Sequence, residues 1–280
     1  MQYLPDALPK ARILITVKTY PMPSRSYKEL VCTAGLLNGE QWIRIYPVPF
    51  RFLSDAQKYP KYSWVELDLV RRGRDFRPES YRPKMGIDER INVLSTISTG
   101  STRDWAARKQ YVLKEVFTSM NELIRLAKSP LKKSLATLKP ARIVDFLHKE
   151  DQREWRKDLA EQLKQLSMFD SLDAGGPAKI VKKLPYKFYY RFFSEGDHKP
   201  RTMMIEDWEI GALFWKCLAN ADGDEQEALR LVKYKYLDQF SEKDLYLFLG
   251  TTLKHHNRAA NPFVIIGVFY PPKTNQLSLL

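Results

Sequence analysis

LVCTAGLLNGEQWIRIYPVPF, residues 30–50, reads as two β-type runs around a turn. The first run is apolar. Asn38-Gly39 is a strong hairpin signal, because both residues accept the positive φ that a tight turn requires. The second run alternates: Trp42, Ile43 and Ile45 look structural, while Arg44 and Tyr46 carry polar groups. Pro47 and Pro49 are expected to end that strand, since proline cannot donate to a ladder.

Working outward, ARILITV (11–17) is β-branched and apolar, and SWVELDLV (63–70) alternates Trp64, Glu66 and Asp68 against Val65, Leu67 and Leu69. Four strands with irregular, proline-rich links predict a small, partly open barrel.

The middle of the chain reads as helical. WAARKQYVLKEVFTSMNELIRLAK (105–128) keeps a period near 3.6 after the cap residues 101–104, and Pro130 stops it. A strand-like centre follows around Arg142 to Phe146, then a second amphipathic stretch over 150–169. SLDAGGPAK (171–179) is the expected linker. Beyond it come an aromatic strand (182–195), two helices (204–221 and 224–240) and two apolar strands (244–251 and 262–270). The expected fold class is α+β: an N-terminal small β-barrel-like part, a helical middle, and C-terminal antiparallel strands with two helices. The expected bounds are 1–103 for the β-rich basic part, 104–170 for the middle, 171–179 for the linker and 180–280 for the C-terminal part.

The chain has 280 residues, 44% of them hydrophobic, which is ample for a core. Its net charge of +13 favours polyanionic partners, nucleic acid first. Two isolated cysteines and four histidines give neither a disulfide framework nor a zinc spacing, so no metal or cofactor is expected. With no signal-like N-terminus and no apolar run of membrane-spanning length, a soluble, cytoplasmic protein is expected. P-loop, dinucleotide-binding, nucleophile-elbow and zinc-protease motifs are all missing.

The basic and aromatic residues of the first hundred positions form the main candidate site. KTYPMPSRSYKE (18–29) is far longer than a hairpin needs and contributes Lys18, Tyr20, Arg25 and Lys28. Arg44, Tyr46 and Arg51 lie nearby in sequence. RRGRDFRPESYRPK (71–84) carries six cations against Asp75 and Glu79, with Phe76 and Tyr81 interleaved. Cations neutralise phosphates and rings stack on exposed bases. The nucleic-acid-binding set is therefore Lys18, Tyr20, Arg25, Lys28, Arg44, Tyr46, Arg51, Arg74, Arg77, Tyr81, Arg82 and Lys84, with Lys254 and Arg258 from the loop 249–262. A competing structural reading packs Tyr20, Tyr46 and Trp42 and pairs the two acids locally with the arginines.

Two other function classes are open. Glu66 and Asp68, on one face of a strand, and His255 and His256, adjacent in a loop, are the catalytic candidates of a metal-dependent nuclease or nucleotide hydrolase. A basic face could also meet an acidic protein partner. The leading expectation is a nucleic-acid-binding component of a larger processing system.

Overall fold

The computed structural model describes residues 4–24, 28–84, 91–156, 161 and 181–273. These residues form 14 strands and four α-helices, a mixed α+β protein. The chain divides into two compact units, 1–95 with 148–187, and 96–147 with 188–280.

The first unit is built on β1 (Ala7–Lys18), β2 (Met22–Ser24), β3 (Lys28–Leu37), β4 (Gln41–Val48), β5 (Ser63–Arg71), β6 (Ser80–Pro83) and β7 (Asn92–Thr96). β1 pairs antiparallel with β3, β3 with β4, and β5 with both β6 and β1, while β4 and β6 run parallel. Those five pairings close a ring, β1-β3-β4-β6-β5 and back to β1. Three consecutive antiparallel strands and a fourth returning beside the first make a Greek key. The partly open barrel expected from sequence is thus a closed five-stranded one, with β2 and β7 attached to β3 and β5.

The sequence sets this geometry locally. Asn38 (φ 52°) and Gly39 (φ 75°) supply the two positive φ angles of the β3–β4 turn. β1 serves two partners by bending at register shifts between Leu8 and Ala11 and between Ile15 and Val17. Gly35 lets β3 approach it, since a Cβ there would lie 2.3 Å from the Leu14 carbonyl oxygen. Ile13, Ile15, Val17, Val31, Ile43, Ile45, Val65, Leu67 and Leu69 are buried. Pro47 does not end β4. The strand continues to Val48 because Pro47 falls where the register with β3 shifts, between Thr33↔Ile45 and Val31↔Val48, and no ladder donor is required of it.

The second unit starts with α1 (Ala106–Val112), β8 (Val116–Phe117), α2 (Met120–Lys128), β9 (Leu135–Leu138) and β10 (Arg142–Glu150). The single long helix expected over 105–128 is two short ones. Val116 and Phe117 pair with Thr137 and Leu138, and Ser119 then caps a new helix by accepting from the Glu122 N–H. The middle therefore holds three strands besides its helices, because tertiary pairing overrides helical periodicity.

The chain continues through β11 (Tyr186–Phe193), β12 (Arg201–Ile205), α3 (Trp208–Asn220), α4 (Glu225–Lys233), a π-helical turn (Tyr234–Gln239), β13 (Tyr246–Thr251) and β14 (Phe263–Phe269). The sheet order is β10-β11-β12-β14-β13-β9-β8. β13–β14 is the expected antiparallel pair, and β12–β14 is parallel because α3, α4 and β13 intervene. Phe214 of α3 and Tyr236 of the π turn pack on Phe146, Phe188 and Tyr190 of β10 and β11. These alternate rings of KFYYRFF form core, and the Tyr190 hydroxyl donates to the Tyr236 carbonyl. Asp207 caps α3.

The division between units does not follow the expected bounds. The stretch 171–179 lies outside the described residues, as do 157–160 and 162–169 of the helix expected over 150–169; its described start is not helical, since Glu150 ends β10 and 151–156 follow without helix. The strands on either side, β10 and β11, are neighbours in one sheet. Residues 142–147 and 188–193 of these strands are counted in the second unit, and 148–150 and 186–187 in the first.

Candidate nucleic-acid interface

The connection from β5 to β6 is the most informative part of the barrel. Along it the chain alternates: Arg74 is exposed, Asp75 buried, Phe76 exposed, Arg77 buried, and Glu79 buried. Asp75 and Arg77 hold each other. Arg77 Nε donates to Asp75 Oδ1 at 2.8 Å, Nη2 to Oδ2 at 2.6 Å, and the Arg77 backbone N–H to Oδ1 at 3.1 Å. Such a two-pronged pair is the strong form of a charge-assisted hydrogen bond.

Arg44 lies on the same side of β4. Its backbone N–H donates to the Glu79 carbonyl at 2.7 Å and its Nη1 to the Ser80 hydroxyl at 3.1 Å. Arg44, Asp75, Arg77 and Glu79 all keep 4% exposure or less. Burial, then the like charge of Arg77, pushes the Arg44 guanidinium below its ordinary value, against the pull of Cys32, Glu79 and Asp75. Burial pushes the Asp75 carboxyl up, but the hydrogen bonds and charge of Arg77 outweigh it and hold Asp75 below the ordinary carboxylate value. Arg44 thus fastens the end of the β5–β6 connection to β4 through the Glu79 carbonyl and the Ser80 hydroxyl, while Asp75 and Arg77 brace the connection itself.

Arg44 and Arg77 are therefore structural in this fold. Burial strips water from their charges, so each needs polar or charged partners inside, and the local pairing open to Asp75 is realised. Tyr81 is also corrected: its ring is fully buried, its hydroxyl donates to the Pro5 carbonyl, and it offers no face to a base.

Other candidates are partly committed. Lys18 Nζ donates to the Tyr59 carbonyl at 2.9 Å and lies 4.1 Å from the Phe50 ring centroid. Burial, eased by the Thr33 hydroxyl, pushes the neighbouring Tyr59 phenol up to about 12. The Tyr20 hydroxyl donates to the Lys182 carbonyl at 2.8 Å. Tyr46 is half-buried with the Arg72 guanidinium 4.6 Å above its ring, and Arg51 is half-buried in a 3-10 turn. Arg25 and the Lys28 side chain lie outside the described residues.

What the first unit presents to solvent on 72–84 is Arg74, Phe76, Arg82 and Lys84, with Arg72 half-buried. Both acids of the segment are inside, so its outer side is cationic. The sequence reading counted Asp75 and Glu79 against the arginines. It named Phe76 and Tyr81 as the interleaved rings but took only Tyr81 into the binding set, whereas Phe76 is the exposed one, at 45%. The signal in the sequence was the interleaving of acids with other residues in D-F-R-P-E; the segment itself turns at 72–75 and at 77–80, where the Asp75 and Ser80 N–H groups donate to the Arg72 and Arg77 carbonyls.

Lys254 and Arg258 are exposed in the β13–β14 loop of the second unit. In the same loop His255 is exposed, but His256 is fully buried. Its Nε2 is 2.9 Å from the Ala127 carbonyl and its Nδ1 2.7 Å from the Thr251 hydroxyl. A carbonyl only accepts, so Nε2 carries the proton and Nδ1 shares one with Thr251. That makes His256 a tie between the loop and α2. Glu66 and Asp68 are half-buried on β5, with Asp68 Oδ1 accepting from the Lys10 N–H at 2.8 Å. Among the described residues no three His, Cys, Asp or Glu side chains are grouped to hold a metal ion, and no helix is long and apolar enough to cross a membrane.

The fold and this surface define an α+β protein with a Greek-key barrel that carries a cationic loop. Residues 9–114 match a family described as a domain of unknown function (DUF8758). Residues 116–280, more than half of the chain, match a second, domain of unknown function (DUF8757), and the protein belongs to that family. The boundary between the two matches falls between α1 and β8. Comparison with curated proteins gives no match.

Proposed function

We propose that this protein binds nucleic acid, mainly through phosphate contacts, as one component of a larger nucleic-acid-processing system. The observation that carries this reading is the sorting of charge on the β5–β6 connection. Its two acids are buried, Asp75 paired with Arg77 and Glu79 close enough to Arg44 for its charge to act there, while Arg74, Arg82 and Lys84 are exposed. A polyanion approaching that side meets Arg74, Arg82 and Lys84 on a backbone already fixed in place, so little ordering entropy opposes contact. The architecture is compatible, because five-stranded Greek-key barrels of the OB type bind oligonucleotides beside their second and third strands and the flanking loops. Fold alone carries no function, so the weight rests on the surface. The unpaired cysteines Cys32 and Cys217 fit a reducing compartment such as the cytoplasm.

The test is anisotropy of a labelled oligonucleotide titrated with the full chain over a series of salt concentrations. Binding should be present at low salt and fall linearly on log–log axes. Replacing Arg74, Arg82 and Lys84 together with alanine should flatten that slope by roughly 0.7 to 0.9 per lost contact. Absence of binding at low salt would refute the reading.

A further inference from the structure

The geometry points to unpaired bases as the ligand of this surface, with Phe76 as the ring on which one base stacks and Arg74 as the contact to an adjoining phosphate. This rests on the nucleic-acid reading above and names the strand state that reading leaves open. Burying Phe76 would follow from hydrophobicity alone, yet 45% of it is exposed. Its exposure is imposed by the chain. Asp75 and Arg77 on either side are locked into their mutual pair, and Glu79 is buried two residues further on. Phe76, between the two locked residues, is left exposed, as is Arg74 in the turn that the Asp75 N–H closes on the Arg72 carbonyl at 2.8 Å.

The consequence is an aromatic ring held outward on a pinned loop, two residues from an exposed guanidinium. The half-buried Arg72 guanidinium of the same connection lies 4.6 Å from the ring of Tyr46 on β4. A duplex keeps its base faces stacked inside and would offer this ring nothing beyond backbone. An unpaired strand offers a π-face at every nucleotide and a phosphate beside it, the two groups this loop presents. Stacking is indifferent to the sugar, so the proposal is common to DNA and RNA.

The experiment uses the full chain and four labelled probes of equal length: single-stranded DNA, single-stranded RNA, a DNA duplex, and an abasic single strand that keeps its phosphates. The single strands with bases should bind more tightly than the abasic strand. Phe76→Ala should weaken them by about 5- to 150-fold, the span of one stacked base, and leave the abasic strand unchanged. Phe76→Trp should restore the affinity. Arg74→Ala should weaken every probe, the abasic strand included, and lower the salt slope by about 0.7. Comparing the first two probes assigns the sugar. Equal binding of the abasic and base-bearing strands, or single-strand affinity unmoved by Phe76→Ala, overturns this inference while leaving phosphate binding intact. Failure of all four probes at low salt removes the underlying reading as well.

Discussion

Removing the Asp75 carboxylate tests the internal fastening of the barrel. In Asp75→Ala, Arg77 loses acceptors at 2.8 and 2.6 Å, and its own backbone N–H loses one at 3.1 Å. The guanidinium is then left buried with the like charge of Arg44 close by. Breaking one side of a buried ion pair costs about 3 to 5 kcal/mol, and the like charge of Arg44 argues for the upper part of that range. Replacing both partners with apolar residues is often close to neutral, so Asp75→Ala/Arg77→Met should recover most of the loss. Urea unfolding followed by tryptophan fluorescence reads the total, with Trp42 and Trp64 as buried reporters in the barrel. Hydrogen exchange at the Arg44 amide, bonded to the Glu79 carbonyl at 2.7 Å, localises it. A single-variant loss under about 1 kcal/mol, or a double variant no better than the single, would refute the reasoning.

In the second unit, His256→Ala should cost about 2 to 4 kcal/mol, because it leaves a cavity and strips the Ala127 carbonyl of its donor; urea unfolding checks this. Asp197 gives the pH prediction. Burial raises its carboxyl, but hydrogen bonds from Arg201 and from the Ser194 hydroxyl and backbone N–H outweigh that and bring it from 3.8 to about 2. A depressed carboxylate stabilises the fold above its unfolded value and loses that contribution as pH falls through its folded one. Roughly 2 kcal/mol should therefore disappear between pH 3.8 and about 2. Asp197→Asn should be weaker by a similar amount at neutral pH and should lack that step in an acid titration of stability.

The barrel was legible because its signals are local. Asn38-Gly39 fixes one hairpin, and the alternation of SWVELDLV fixes the sidedness of β5. Closure was not legible, since it depends on β1 pairing with both β3 and β5 through bulges that no residue type announces. The interruption of the 105–128 helix has the same origin. Helical period was present, and the partner that draws Val116 and Phe117 into a strand lies twenty-one residues away.

The candidate site was legible as composition and misassigned in detail, and the mismatch can be put to experiment. Counting charges treats Asp75 as a liability on a phosphate-binding segment. By that logic Asp75→Ala, which removes one anion from a chain of net charge +13, should tighten binding to any polyanion. The structure assigns the opposite effect. Asp75 is buried, so its charge is already compensated by Arg77, and its role is to hold the backbone that aims Arg74 and Phe76 outward. Losing it frees the loop and leaves Arg74, the rotamer-rich one of the two, to be ordered on the ligand, at about 0.5 to 1.5 kcal/mol. Asp75→Ala should therefore weaken single-strand binding roughly 2- to 10-fold despite the gain in positive charge. Tighter binding in this variant would mean that net charge, and not the fastened geometry of the loop, governs the interaction.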